Sequence, residues 1–253
     1  MKRPSFSAAV AAMRFLTVFP IPGSCGTAAE DLAASTPFFP VVGIILGAAS
    51  AVAAWGLAHV LPPLAASALM VVGLISVSGG LHLDGLADTA DAFFSSRPRE
   101  QMLEIMKDSR VGAMGVIAIV SVMLIKVSVL ASLLPGNFWR AALLMPLAGR
   151  SALVWQMAFL PYVRAQGLGS SFAQSSLRFA AFLALAVLAL TGWALLQQRG
   201  LCTAGMSALA TLVFSVYCRR KIGGATGDTY GAGCEIAEIM PPLVLLIFQQ
   251  VNL

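Results

Sequence analysis

The chain has 253 residues, of which 58% are hydrophobic and 11% charged, and its mean hydropathy is +0.86. Soluble globular chains carry about 25% charged residues, so a fully water-exposed surface is excluded, and so is a disordered chain, which needs low hydrophobicity. The net charge of +5 does not point to nucleic acid, because the cations lie between apolar runs and form no aromatic-interleaved stripe. Cys25, Cys202, Cys218 and Cys234 make no CxxC pair, which argues against a zinc site or a disulfide framework.

In chain order, residues 10–19 are apolar but too short to cross a bilayer and contain Arg14, so they predict an interfacial helix. A spanning helix needs about 20 mostly apolar residues. Stretches of that kind fall at 41–60, 64–80, 112–134, 141–160, 179–196 and 202–218. A shorter last stretch near 239–251 is interrupted by Pro241-Pro242 and predicts a tilted or partly inserted segment. Pro62-Pro63 joins the first two spans as a hairpin. Ser96-Arg97-Pro98 has the form of a helix start, with Met102, Leu103, Ile105 and Met106 supplying an apolar face. The fold expected is all-α: one membrane-embedded domain over 1–253, a polytopic bundle of about six to seven transmembrane helices.

With the N-terminus inside, the inner segments hold Lys2, Arg3, Arg14, Arg97, Arg99, Lys107, Arg110, Arg164, Arg178, Arg219, Arg220 and Lys221. The outer turns hold only Arg140 and Arg199, while Lys126 and Arg150 fall within spans. That bias predicts a cytoplasmic N-terminus.

The acids are more informative. Of eleven Asp and Glu, six lie between Asp84 and Asp108 and three more are Asp228, Glu235 and Glu238. Both clusters are expected on the cytoplasmic side, in segments of about 81–111 and 219–238. Asp84, Asp88 and Asp91 stand at i, i+4 and i+7, on one face of a helix. Like charges so placed repel unless a cation lies among them, and Mg²⁺ takes hard oxygen ligands together with substrate phosphates. The bland alternative is an acidic solvated loop. Lys107-Asp108-Ser109-Arg110 follows, and its cations suit a phosphate or, equally, anchoring at the membrane surface.

The second cluster runs from Gly223 through Thr226, Gly227 and Asp228 to Glu235 and Glu238. Its glycines suit either close helix packing or a backbone that approaches a ligand. Asp228 and Glu235 are seven apart and would share a helical face. His82 reads as a base or, more simply, as a cap on the span. Arg150 lies within a span and needs a carboxylate or phosphate partner.

Three segments, GGLHLDGLADTADAFF, LEIMKDSRVGAMG and GGATGDTYGAGCEIAE, resemble those of the cobalamin synthase (adenosylcobinamide-GDP ribazoletransferase) family. The openings RFLTVFPIP and PFFPVVG resemble it too, and the likeness spans essentially the whole chain. Ala92 stands where the family usually has Gly, and Gly233-Cys234 where it often has Asn; both departures leave the carboxylates in place. The resemblance implies a Mg²⁺-dependent enzyme of the bacterial cytoplasmic membrane with active-site loops facing the cytoplasm. It would join adenosylcobinamide-GDP to α-ribazole or its 5′-phosphate and release GMP. On that reading Asp84, Asp88 and Asp91 hold the metal, while Asp228, Glu235 and His82 are catalytic. Lys107, Asp108, Ser109, Arg110, Arg150, Thr226, Gly227 and Glu238 would contact substrate and phosphate.

Three other readings compete. A CDP-alcohol phosphotransferase needs Asp-Gly followed by Ala-Arg, whereas Asp84-Gly85 is followed by Leu86-Ala87-Asp88. An intramembrane aspartyl protease wants Gly-x-Gly-Asp, and Ala225-Thr226-Gly227-Asp228 departs from it. A cation or metabolite transporter would carry polar groups near the midplane and often an inverted repeat. The lipid bilayer is the expected surrounding, no nucleic acid is expected, and nothing in the sequence selects between a monomer and a homo-oligomer.

Overall fold

The computed structural model describes residues 5–164 and 177–251. They form helices α1 (Phe6–Leu16), α2 (Ala29–Ala33), α3 (Phe39–Val60), α4 (Pro63–Val77), α5 (Leu81–Phe93) and α6 (Arg99–Ile105). After these come α7 (Ala113–Ala131), α8 (Pro135–Phe159), α9 (Arg178–Leu196), α10 (Gln198–Ile222) and α11 (Gly227–Val251). No strand occurs among the described residues; a single parallel bridge joins Tyr162 to Ala225. The all-α membrane bundle expected from composition is the observed architecture.

The helix starts follow local chemistry. Ser5 caps α1 by accepting from the Ala8 N–H, which satisfies one of the donors a helix start leaves free. Prolines stand in the first turns of α3, α4 and α8, where their missing N–H costs nothing. Arg14 does more than anchor an interfacial helix: its guanidinium donates to the carbonyls of Ile21, Gly23 and Cys25 and ties down the following loop.

Among the described residues, five helices are long and apolar enough to cross a membrane: α3 with the short 3₁₀ turn before it, α7, α9, α10 and α11. A sixth candidate arises only if α4 and α5 are taken together, and these are bent by 91° at the break between them. Large apolar side chains such as Val52, Val120, Leu124, Phe182 and Leu212 point outward, as a lipid-facing surface requires. The expected span at 141–160 covers most of α8, which is not among the five. It is the central helix, packed by α3, α9, α10 and α11, and its buried residues include Arg150, Ser151 and Gln156. A helix shielded by other helices does not need a continuously apolar sequence.

The last helix overturns an expectation. No short segment begins near 239; α11 is continuous over 25 residues from Gly227. Pro241 and Pro242 lie inside it and are buried. They remove two backbone donors, yet packing against α5, α7, α8 and α10 holds the helix through them. Its start is a reciprocal cap in which Thr229 Oγ1 accepts from the Thr226 N–H and Thr226 Oγ1 from the Thr229 N–H. The usual box has Glu or Gln at the third helical position, so Thr there gave no sequence signal.

Candidate active site

A cleft of about 220 Å³ opens where α1, α5, α8 and α11 meet the Tyr162–Arg164 segment. α5 contributes His82, Asp84 and Gly85, and α11 contributes Gly227, Asp228, Tyr230 and Gly231. Phe15, Leu153, Met157, Tyr162 and Arg164 complete the walls. The two acidic segments, about 140 residues apart in sequence, therefore face each other across one cavity.

Gly85 makes this approach possible. A Cβ there would stand 2.7 Å from the Asp228 carbonyl oxygen and 2.9 Å from its Cα, far inside van der Waals contact. Across the cleft, the Tyr162–Ala225 bridge, with Val163 N–H donating to the Ala225 carbonyl at 2.9 Å, sets Arg164 beside the start of α11. Arg164 then ion-pairs with Asp228 at 2.7 Å, while its Nε is buried without a hydrogen-bond partner. Asp88, half-buried, lies in the electrostatic range of Asp84, Asp91, Asp228 and Arg164. His82 forms part of the cleft wall; the side chain is 3% exposed and its Nε2 has no hydrogen-bond partner.

Asp91 is turned to another task. Its two oxygens accept from the backbone N–H groups of Gly112 at 2.6 Å and Gly115 at 2.8 Å, so α5 caps the N-terminus of α7 in trans. The helical face predicted for the three aspartates is correct as geometry, but its third member ends at a helix start instead of a shared ligand position. We expect Asp91→Ala to cost about 1 kcal/mol of stability, as loss of a cap does, measurable as a lower thermal midpoint in detergent. An unchanged midpoint would contradict the capping role.

Among the described residues, no three His, Cys, Asp or Glu side chains stand together as a ready-made metal site. Asp84, Asp88 and Asp228 nonetheless put three carboxylates against the single guanidinium of Arg164. Carboxylates are the hard-oxygen ligands that Mg²⁺ takes, usually one or two of them together with waters and substrate phosphates.

The structure does not bring Glu235, Glu238 and Arg150 to the cleft. Counted from Gly227 at 1.5 Å per residue, Glu235 and Glu238 lie about 12 and 17 Å along α11. There Lys126 of α7 donates to Glu235 at 2.7 Å and to Glu238 at 2.7 Å, and Arg150 of α8 pairs with the other oxygen of Glu238. All four side chains are buried, two cations against two anions. Arg150 therefore has the carboxylate partner that its place in a span demanded, and Glu235 and Glu238 are structural charges within the bundle instead of loop acids. Gly149 clears the way, since a Cβ there would meet Glu238 Cγ at 2.8 Å.

Lys107, Ser109 and Arg110 are exposed and line no part of the cleft. Arg110 is engaged with Asp108 through a forked contact with distances of 2.6–3.1 Å, and that guanidinium holds the Asp108 carboxyl down to about 2. Their loop borders the site through Met106, whose sulfur is 3.7 Å from the Thr226 hydroxyl. Thr226 is a helix cap that also donates to Asp228 at 3.2 Å, and Gly227 lines the cleft. The sequence reading missed Arg164 and the aromatic wall of Phe15, Tyr162 and Tyr230. Arg164 lies in a stretch without helical periodicity, where it counted only as an inner-face cation.

Comparison with known proteins gives the family. The family model described as cobalamin-5-phosphate synthase matches residues 8–246. Proteins named adenosylcobinamide-GDP ribazoletransferase resemble the chain along nearly all their length. That of Desulforamulus reducens is 39% identical over 98% of this chain and 99% of its own. That of Desulfitobacterium hafniense is 38% identical over 94% and 95%, and that of Roseiflexus sp. 38% over 90% and 85%. No solved structure matches the chain significantly. All the segments that build the cleft fall inside the matched region, and the chain belongs to the cobalamin-5-phosphate synthase family.

Proposed function

We propose that this membrane transferase of cobalamin synthesis joins adenosylcobinamide-GDP to α-ribazole, or to its 5′-phosphate, and releases GMP. The observation that carries the reading is the meeting of Asp84, Asp228 and Arg164 at one cleft, in a chain of this family. A ribazole hydroxyl oxygen forms a bond to the phosphorus attached to the cobinamide arm. The bond from that phosphorus to the GMP oxygen breaks, and the hydroxyl proton passes to Asp228, a carboxylate placed for general-base work. Arg164 supplies a planar donor fork for phosphate oxygens. A phosphate entering the cleft competes with Asp228 for that guanidinium and so frees the carboxylate to accept the proton.

Asp84 and Asp88 would hold Mg²⁺, which when bound supplies positive charge against the pyrophosphate and the leaving group. The distribution of Lys and Arg supports a cleft that faces the cytoplasm. The transporter reading expects polar groups inside the membrane, and the buried charges of α7, α8 and α11 are such groups, but they pair with one another, and the family match favours the transferase.

The test is GMP release by detergent-purified protein given adenosylcobinamide-GDP and α-ribazole, with Mg²⁺ or with EDTA. We expect GMP and a matching corrinoid product only with Mg²⁺. Folded protein that turns over neither ribazole form would overturn the assignment. Undiminished turnover in EDTA would remove the metal from it.

A further inference from the structure

The cleft has two chemically distinct parts. Asp84, Arg164 and Asp228 form its charged part, while Phe15, Leu153, Met157, Tyr162 and Tyr230 form an apolar one. Tyr162 and Tyr230 stack on one another with ring centroids 6.3 Å apart and planes inclined by 30°, Tyr162 being the more exposed of the two. His82 also lines the cleft, and its buried Nε2 has no hydrogen-bond partner, as is true of Arg164 Nε in the charged part.

An apolar cavity of about 150 Å³ accepts a benzene ring. One of about 220 Å³ therefore accommodates a fused two-ring base, and it excludes a corrin macrocycle many times larger. Two bases enter the proposed reaction, the guanine of the donor and the benzimidazole of ribazole. Guanine carries polar groups along two edges, each needing a partner when buried. Along the aromatic wall only the tyrosine hydroxyls and His82 could pair with them, so guanine packed there, away from Asp84 and Asp228, would leave groups unsatisfied. A benzimidazole nucleoside has a flat apolar body and one free ring nitrogen, which matches an aromatic wall with a single unpartnered imidazole nitrogen.

We infer that the cleft is the acceptor site: the benzimidazole base packs on Tyr162 and Tyr230 with its free nitrogen toward His82 Nε2, and its ribose points to Asp228. The corrinoid stays outside and presents only its phosphates, at Asp84 and Arg164. This assignment rests on the ribazole-transfer reading and says which substrate the cavity selects. It makes Tyr162 and Met157 specificity determinants for the acceptor.

Equilibrium dialysis of radiolabelled α-ribazole against the detergent-purified full chain, with the KM of each substrate measured in parallel, tests the inference. Tyr162→Ala removes stacking surface and Met157→Trp fills the cavity. Each is expected to weaken α-ribazole binding by about tenfold or more, the scale of lost base–aromatic stacking, and to leave the KM for adenosylcobinamide-GDP within about twofold. Tyr162→Phe keeps the ring and should retain wild-type affinity, a rescue that a merely structural role would not separate from Tyr162→Ala. An active wild type whose variants raise the donor KM, or leave α-ribazole binding unmoved, overturns the site assignment alone. A wild type that neither binds α-ribazole nor releases GMP overturns both this inference and the reaction assigned above.

Discussion

Replacing Lys126 by methionine is expected to destabilise the bundle by about 3–5 kcal/mol, the cost of breaking a buried ion pair by removing one partner. Lys126 bonds Glu235 and shares Glu238 with Arg150. Its loss leaves two buried carboxylates against one guanidinium, inside a bundle where little water reaches them. Because Lys126 lies on α7, Arg150 on α8 and both glutamates on α11, the damage falls on the packing of three helices at once. Thermal aggregation in detergent and the yield of membrane-inserted protein would both report it. The double variant Lys126→Met, Glu235→Gln restores the charge balance, because Arg150 and Glu238 still pair. It should therefore recover a large part of the stability, a coupling that only neighbouring groups produce. A single variant as stable as the wild type would mean that water reaches these charges.

Asp228→Asn is the counterpart at the cleft: activity is expected to fall by about 10²–10⁴-fold, the usual contribution of a positioned acid or base, with the fold retained. Asparagine has nearly the same shape and keeps an oxygen to accept from Thr226, whose own bonds with Thr229 cap α11 independently. The carboxylate that pairs with Arg164 and receives the hydroxyl proton is what disappears. Arg110→Ala supplies the contrast. Arg110 is exposed and its partner Asp108 also faces solvent, and solvent-exposed pairs contribute little to stability. GMP release should therefore stay within about twofold of wild type. If Arg110→Ala were the more damaging of the two, the phosphate clamp would lie in the Lys107–Arg110 loop and the cleft would be the wrong site.

These two predictions separate carboxylates that look alike in sequence. Asp84, Asp88 and Asp91 share a face by spacing, and the helix forms as that spacing requires. Periodicity states which side chains point the same way, and it does not state what stands opposite them. Opposite Asp84 is the start of α11, whereas opposite Asp91 are the free N–H groups of Gly112 and Gly115. Glu235 and Glu238 were assigned to a loop because an apolar scan does not begin a span with Gly, Asp and Glu. Burial within the bundle permits it, since Lys126 and Arg150 arrive from other helices to neutralise them.

The sequence by itself determined the membrane-embedded all-α class, the concentration of carboxylates in two segments, and the resemblance to a family that the comparisons then bore out. These follow from composition and local spacing, which act within one or two turns of chain. Only the tertiary structure decided that Asp84, Asp88 and Asp228 meet Arg164 while Asp91 caps a helix, that Glu235 and Glu238 are counter-charges within the bundle, and that an aromatic wall lies beside the acids. Each of those outcomes depends on contacts between residues far apart in the chain, and close approaches at Gly85 and Gly149 let the helices come near enough to make them.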